Sequence, residues 1–160
     1  MARGLANSHS VGVVHNDVAC RNALRSSTDV GAPVLLCDFG MSRILRGDGV
    51  ERASLIDVQR CRDKWPVWQM PKESLSFPYT LSQSSDTWMY GTLLYEIFEG
   101  KKPFCGIKND QVKSLILEGK TLDTPVLLKD QGLEDLFKRC LEVDAAKRPT
   151  MDEVVTVLSY

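Results

Sequence analysis

Between Ser85 and Glu99 the apolar residues do not keep to one stripe. Trp88, Met89, Leu93, Leu94, Ile97 and Phe98 wrap most of the circumference of a helix, and a helix patterned that way has to be buried on several sides. Such a helix exists only where other elements surround it, and the second half of the chain offers them. Gly100 suits its C-terminal stop. Asn109 to Glu118 places Val112, Leu115 and Ile116 on one helical face, with Gly119 beyond it. Leu133, Leu136, Phe137, Cys140 and Leu141 follow the i, i+3, i+4, i+7, i+8 spacing of an amphipathic helix. Thr150 and Glu153 form a capping box that opens a last helix, with Val154, Val155, Val157 and Leu158 as its apolar residues.

The first half reads differently. Val11 to Val14 is a short apolar run, a strand or a buried turn entry. Asn22 to Leu24 and Val34 to Cys37 read as two short strands, with the polar stretch Arg25 to Ala32 as a hairpin connection. From Ile44 to Lys64 periodicity is lost, and a long exposed loop is expected. The expected fold is therefore mainly α, with short β-hairpins near the front. A chain of 160 residues accommodates one domain with one sizeable core. Charges nearly cancel, 20 Lys and Arg against 21 Asp and Glu, which argues against a general nucleic-acid binder. No apolar run approaches the ~18 to 20 residues that span a bilayer, and MARGLANSHS lacks the apolar core of a secretory signal. The five cysteines are odd in number, scattered and free of C-x-x-C spacing, so reduced thiols, several of them in the core, are expected rather than zinc or a disulfide framework.

Two short stretches carry candidate chemistry. His15-Asn16-Asp17-Val18-Ala19-Cys20-Arg21-Asn22 is one; Asp38-Phe39-Gly40, just after the second hairpin strand, is the other. The first resembles the catalytic loop of protein kinases, and its D-x-x-x-R-N is similar to the tyrosine-kinase form. Further matches follow in the family's order. Trp65-Pro66-Val67 looks like the substrate-facing segment, Met70 to Leu75 resembles the A-P-E region, and Ser85 to Gly91 looks like the opening of the family's central buried helix. Glu99 to Phe104, Cys140-Leu141 and Arg148-Pro149-Thr150 match later elements. By this set the whole chain is identified as a member of the protein tyrosine kinases.

The resemblance implies a fold and a chemistry. The fold is the helical C-terminal lobe of the α+β kinase domain, spanning 1–160 with the N-terminal lobe absent. The chemistry is transfer of the γ-phosphate of ATP to a protein tyrosine, with Mg²⁺ as the metal. Asp17 would take the acceptor's proton, with Arg21 and Asn22 beside it as catalytic residues. Asn22 and Asp38 would hold Mg²⁺ through hard oxygens, and Leu24 would lie under the adenine. Gly40 would let the chain turn sharply behind Asp38. His15 and Phe39 would stack, Asp86 would bond the loop's backbone from below, and Glu73 would pair with Arg148. Without the resemblance, an Asp or Asn in a loop is a turn former or cap, and Asp86 is a helix N-cap.

The match also departs from the family. No Gly-rich loop and no V-A-I-K strand occurs. Asn16 stands where Arg is usual, no tyrosine lies between Asp38 and Glu73, and Lys72 replaces the A-P-E proline. Gln69 stands where Trp is expected, with Trp68 one position early. Ser54 and the basic residues Arg43, Arg46, Arg52, Arg60, Arg62 and Lys64 are more ordinary as solvated loop positions than as recognition sites. Three readings stay open: a tyrosine kinase once completed by its other lobe, a pseudokinase-like module binding a protein on its exposed face, or a truncated product. The expected partners are a protein substrate and the missing lobe or another protein, with no nucleic acid and no direct membrane contact, and the expected location is the cytoplasm.

Overall fold

The structure is a computed structural model and describes residues 1–45, 50–52 and 66–159. Helix α1 (Ala2–Ser10) leads into strand β1 (Val13–Val14). A 3-10 turn over Cys20–Asn22 precedes β2 (Ala23–Arg25) and β3 (Val34–Leu36), which pair antiparallel with Leu24 opposite Leu35. A second 3-10 turn (Phe39–Met41) precedes β4 (Arg43–Ile44), which pairs with β1. Strand β5 (Val50–Arg52) pairs with β6 (Thr80–Ser82), and α2 (Lys72–Leu75) lies between them in sequence. The rest is helical: α3 (Gln83–Glu99), α4 (Asn109–Leu117), α5 (Val126–Asp130), α6 (Glu134–Cys140) and α7 (Met151–Val157). No helix among the described residues is long and apolar enough to cross a membrane.

Helix α3 is the axis of the molecule. Every residue from Ser85 to Leu94 is buried; α5 and α6 pack against it, and α1, which packs on α7, reaches it through His9. The expected wrap does not reach its C-terminal end, where Ile97 is 56% exposed. Ser82 caps α3, accepting from the Ser85 N–H while the Ser85 hydroxyl bonds back to Ser82. Asp86 is therefore not the N-cap, and its carboxylate is available for other work. Gly100 closes α3 in the left-handed region at φ 67°, where a side chain would be strained. On α6, Leu136, Phe137 and Cys140 are buried against α3 as their spacing requires. The capping box of Thr150 and Glu153 is present, but only Val154 of the last helix's four valine and leucine residues is fully buried; Val157 and Leu158 lie outside.

Other expectations shift. Asn22 is not strand but the end of a 3-10 turn, because its side chain turns back towards Asp17. The span expected as loop from Ile44 contains strand β5, paired to a partner about thirty residues on, which no local periodicity reveals. Ser54, Cys61, Trp65, Arg46, Arg60, Arg62 and Lys64 lie outside the described residues. Of the described thiols only Cys140 is in the core; Cys37 is half-buried, and Cys20 and Cys105 are exposed.

Candidate active site

The site is built on one buried carboxylate. Asp86, fully buried on α3, accepts the backbone N–H of His15 at 2.7 Å and that of Asn16 at 2.8 Å. His9 of α1 adds its Nε2 at 2.9 Å. The loop after β1 is thereby fixed to the central helix. Asn16 takes the left-handed conformation at φ 62°, which Asn tolerates better than most residues with a Cβ. Its amide donates to the Met41 carbonyl at 3.2 Å, tying this loop to the segment after Asp38.

His15 is fully buried and crosses the site. Its Nδ1 accepts the Asp17 N–H at 3.3 Å, so Nε2 carries the proton and donates to the Cys37 carbonyl at 3.0 Å. Its ring meets Phe39 edge-on, with centroids 4.8 Å apart. Asp17 is buried and gripped from both sides. Arg21 Nη2 bonds its Oδ1, and Asn22 Nδ2 donates to its Oδ2 at 2.8 Å and to its backbone carbonyl at 2.7 Å.

Asp38 lies across from this loop, exposed, at φ 61°, with its carboxylate accepting the Gly40 N–H at 3.2 Å. The sharp turn is thus at Asp38 and not at Gly40, whose φ is not positive. Glycine at 40 does a different job: a Cβ there would stand 3.0 Å from Asp38 Oδ1. The donor set fits Mg²⁺. Asn22 commits its amide nitrogen to Asp17, which turns the amide oxygen into its free acceptor, and Asp38 adds an exposed carboxylate; both are hard oxygens. Leu24 is 53% exposed beside Leu35 on the open face of the β2–β3 hairpin.

Away from this centre, Glu73 of α2 meets Arg148 in a two-pronged pair at 2.6 and 3.1 Å. The Arg148 side chain is fully buried, also donates to the carbonyls of Glu142, Ser84 and Val143, and lies over the Trp88 ring. Lys72 occupies the first position of α2 after Pro71 and points into solvent, so the change from proline leaves that helix intact.

Sequence reasoning missed three participants. Gln69 is fully buried and bridges the loop, accepting from Arg21 Nη1 at 3.0 Å and donating to the Val18 carbonyl at 3.2 Å. Glu96 accepts the Cys20 N–H at 3.0 Å, and His9 joins Asp86. The only signal for Gln69 was its mismatch to the pattern; Glu96 and His9 gave none, since their partners are 76 and 77 residues away.

Residues 1–158 match the family model described as protein tyrosine and serine/threonine kinase. The chain is 33% identical over 151 residues to the inactive tyrosine-protein kinase kin-32 of Caenorhabditis elegans, covering 94% of this chain and 16% of that protein. It is 30% identical to the mast/stem cell growth factor receptor Kit of Gallus gallus, covering 99% and 16%. It is 31% identical to the tyrosine protein-kinase src-1 of Caenorhabditis elegans, covering 95% and 28%. The chain thus spans between 16 and 28% of the length of these relatives. By its matched motifs, its helix-rich fold and this similarity along nearly its whole length, the chain belongs to the protein tyrosine and serine/threonine kinase family.

Proposed function

We propose that this chain is the C-terminal lobe of a tyrosine kinase domain, and that with a nucleotide-gripping lobe it transfers the γ-phosphate of ATP to a protein tyrosine in the cytoplasm. The observation that carries the reading is the grip on Asp17. Its carboxylate is oriented by Arg21 on one oxygen and Asn22 on the other, in a loop pinned to the core by Asp86. A carboxylate held in that way can accept the proton of a tyrosine hydroxyl as its oxygen attacks the phosphate. Asn22 and Asp38 would hold Mg²⁺, whose charge offsets that of the phosphates when bound. Leu24 would pack beneath the adenine, which its exposed position on β2 permits.

Radiolabel transfer to a tyrosine peptide tests this, using the chain completed by a nucleotide-gripping lobe. Asp17→Asn keeps the shape of the side chain and removes the base. It is expected to lower kcat by roughly 10²- to 10⁴-fold, the span typical of a general base. Transfer that does not depend on Asp17 would overturn the assignment.

A second reading has its own support. One relative is described as an inactive tyrosine-protein kinase, and the cross-strand pair Leu24 and Leu35 leaves apolar surface exposed on the β2–β3 hairpin. On that reading the lobe binds a protein through this face. The same assay separates the two, because a binding module gives no transfer with Asp17 present.

A further inference from the structure

We infer that Gln69 is a positioning residue for Asp17, and that the segment from Pro66 to Met70 acts on the catalytic loop through it. The inference rests on the kinase reading for its functional consequence, and on geometry alone for its structural part.

Gln69 lies on the 3-10 turn Val67–Gln69 with no exposure to solvent. A carboxamide taken out of water is unfavourable unless both its ends are bonded. Here both are, and both to the same loop: Oε1 accepts from Arg21 and Nε2 donates to the carbonyl of Val18, the neighbour of Asp17. A residue that merely filled this space would not need either bond.

Arg21 is the link. Its side chain is 44% exposed, and its guanidinium is directed by hydrogen bonds to two partners. Gln69 holds Nη1 and Asp17 takes Nη2. Because the guanidinium is planar and rigid, fixing one nitrogen fixes the direction of the other. Gln69 therefore sets the side from which Arg21 meets Asp17 Oδ1, while Asn22 sets Oδ2. The two together define the plane of the carboxylate and so which lone pair faces an acceptor hydroxyl. Proton transfer is sensitive to that alignment.

The structural part is tested by NMR of the Arg21 guanidinium in the full chain. In the wild type both Nη groups are held, so rotation about the Cζ–Nε bond is slowed and their protons resolve separately. Gln69→Met, similar in length and without hydrogen bonds, is expected to collapse them into an averaged signal. Gln69→Glu keeps an acceptor for Arg21 and is expected to keep them resolved. The functional part is tested on the completed kinase domain. Gln69→Met is expected to lower kcat by roughly tenfold to a hundredfold, the scale of a small misalignment, with KM for ATP unchanged, and Gln69→Glu is expected to recover part of the loss. Freely rotating Arg21 in the wild type, or resolved signals and full kcat in Gln69→Met, would overturn the inference, as would equal losses in the Met and Glu variants. Absence of Asp17-dependent transfer in the wild type would remove the kinase reading instead, and the Arg21 signals would still decide whether Gln69 governs that geometry.

Discussion

Cys20 stands immediately before Arg21 on the outer side of the loop after β1, and as a residue it is exposed. It is nevertheless a poor nucleophile. Burial of the sulfur pushes its thiol up to about 11, and the neighbouring Glu96 carboxylate adds to the rise through its charge and a hydrogen bond. Only the thiolate reacts. Alkylation by iodoacetamide, followed by mass spectrometry of the Cys20 peptide, is therefore expected to be slow at pH 8 and to quicken by about tenfold per pH unit on the way up. Glu96→Gln should raise the rate at pH 8. A rate like that of an unperturbed thiol would show that burial and Glu96 do not act on the sulfur. At this scale the sequence was informative about identity and poor about partnership. Asp17, Asn22 and Asp38 were singled out through the family resemblance, since by residue type alone each is an ordinary turn former or cap. Gln69 was not, because its meaning depends on Arg21 lying 48 residues away in the chain and 3.0 Å away in space. Gly40 was read for the wrong reason, since the strained backbone belongs to Asp38.

Among the elements, the contact of α3 with α6 is the tightest constraint. A Cβ added at Gly91 would lie 2.9 Å from Leu141 Cδ2 and 3.0 Å from Cys140 Cβ. Leu141 can shift only into packed core, and Cys140 Cβ moves only with its own backbone. Gly91→Ala is therefore expected to destabilise the fold by about 1–3 kcal/mol through overpacking, seen as a lowered Tm in a thermal melt. An unchanged Tm would mean that the two helices can separate without loss. The long helices and the Thr150 cap were readable because their signals are local: apolar spacing, a capping box, a terminal glycine. Helices α2 and α5 were not, being four and five residues long. The Ser82–Ser85 cap was missed for a similar reason, since serine is a weaker marker than Glu or Gln three residues past a cap.

At the scale of the whole molecule, the Glu73–Arg148 pair ties distant parts of the chain together. Glu73 and Arg148 are 75 residues apart in sequence. They join α2 to the turn that precedes α7. Removing Glu73 leaves a fully buried guanidinium without its counter-charge, a loss on the order of 3–5 kcal/mol. Urea unfolding of Glu73→Ala should show it as a lower midpoint. Arg148→Ala should fall further, because the carbonyls of Ser84, Glu142 and Val143 also lose their donor. A variant as stable as the wild type would show that the pair only decorates the fold.

The Asp86 carboxylate has a consequence for how the molecule opens. It serves the His15 and Asn16 amides and the His9 ring at once, and it sits in the most buried stretch of α3. Surface loops ordinarily fluctuate open far more readily than the core does. This one cannot release its amides without stranding a buried carboxylate, so the loop after β1 and the central helix are expected to unfold as one cooperative unit. Asp17, which follows those two amides directly, is thus expected to be among the last parts of the chain to come loose.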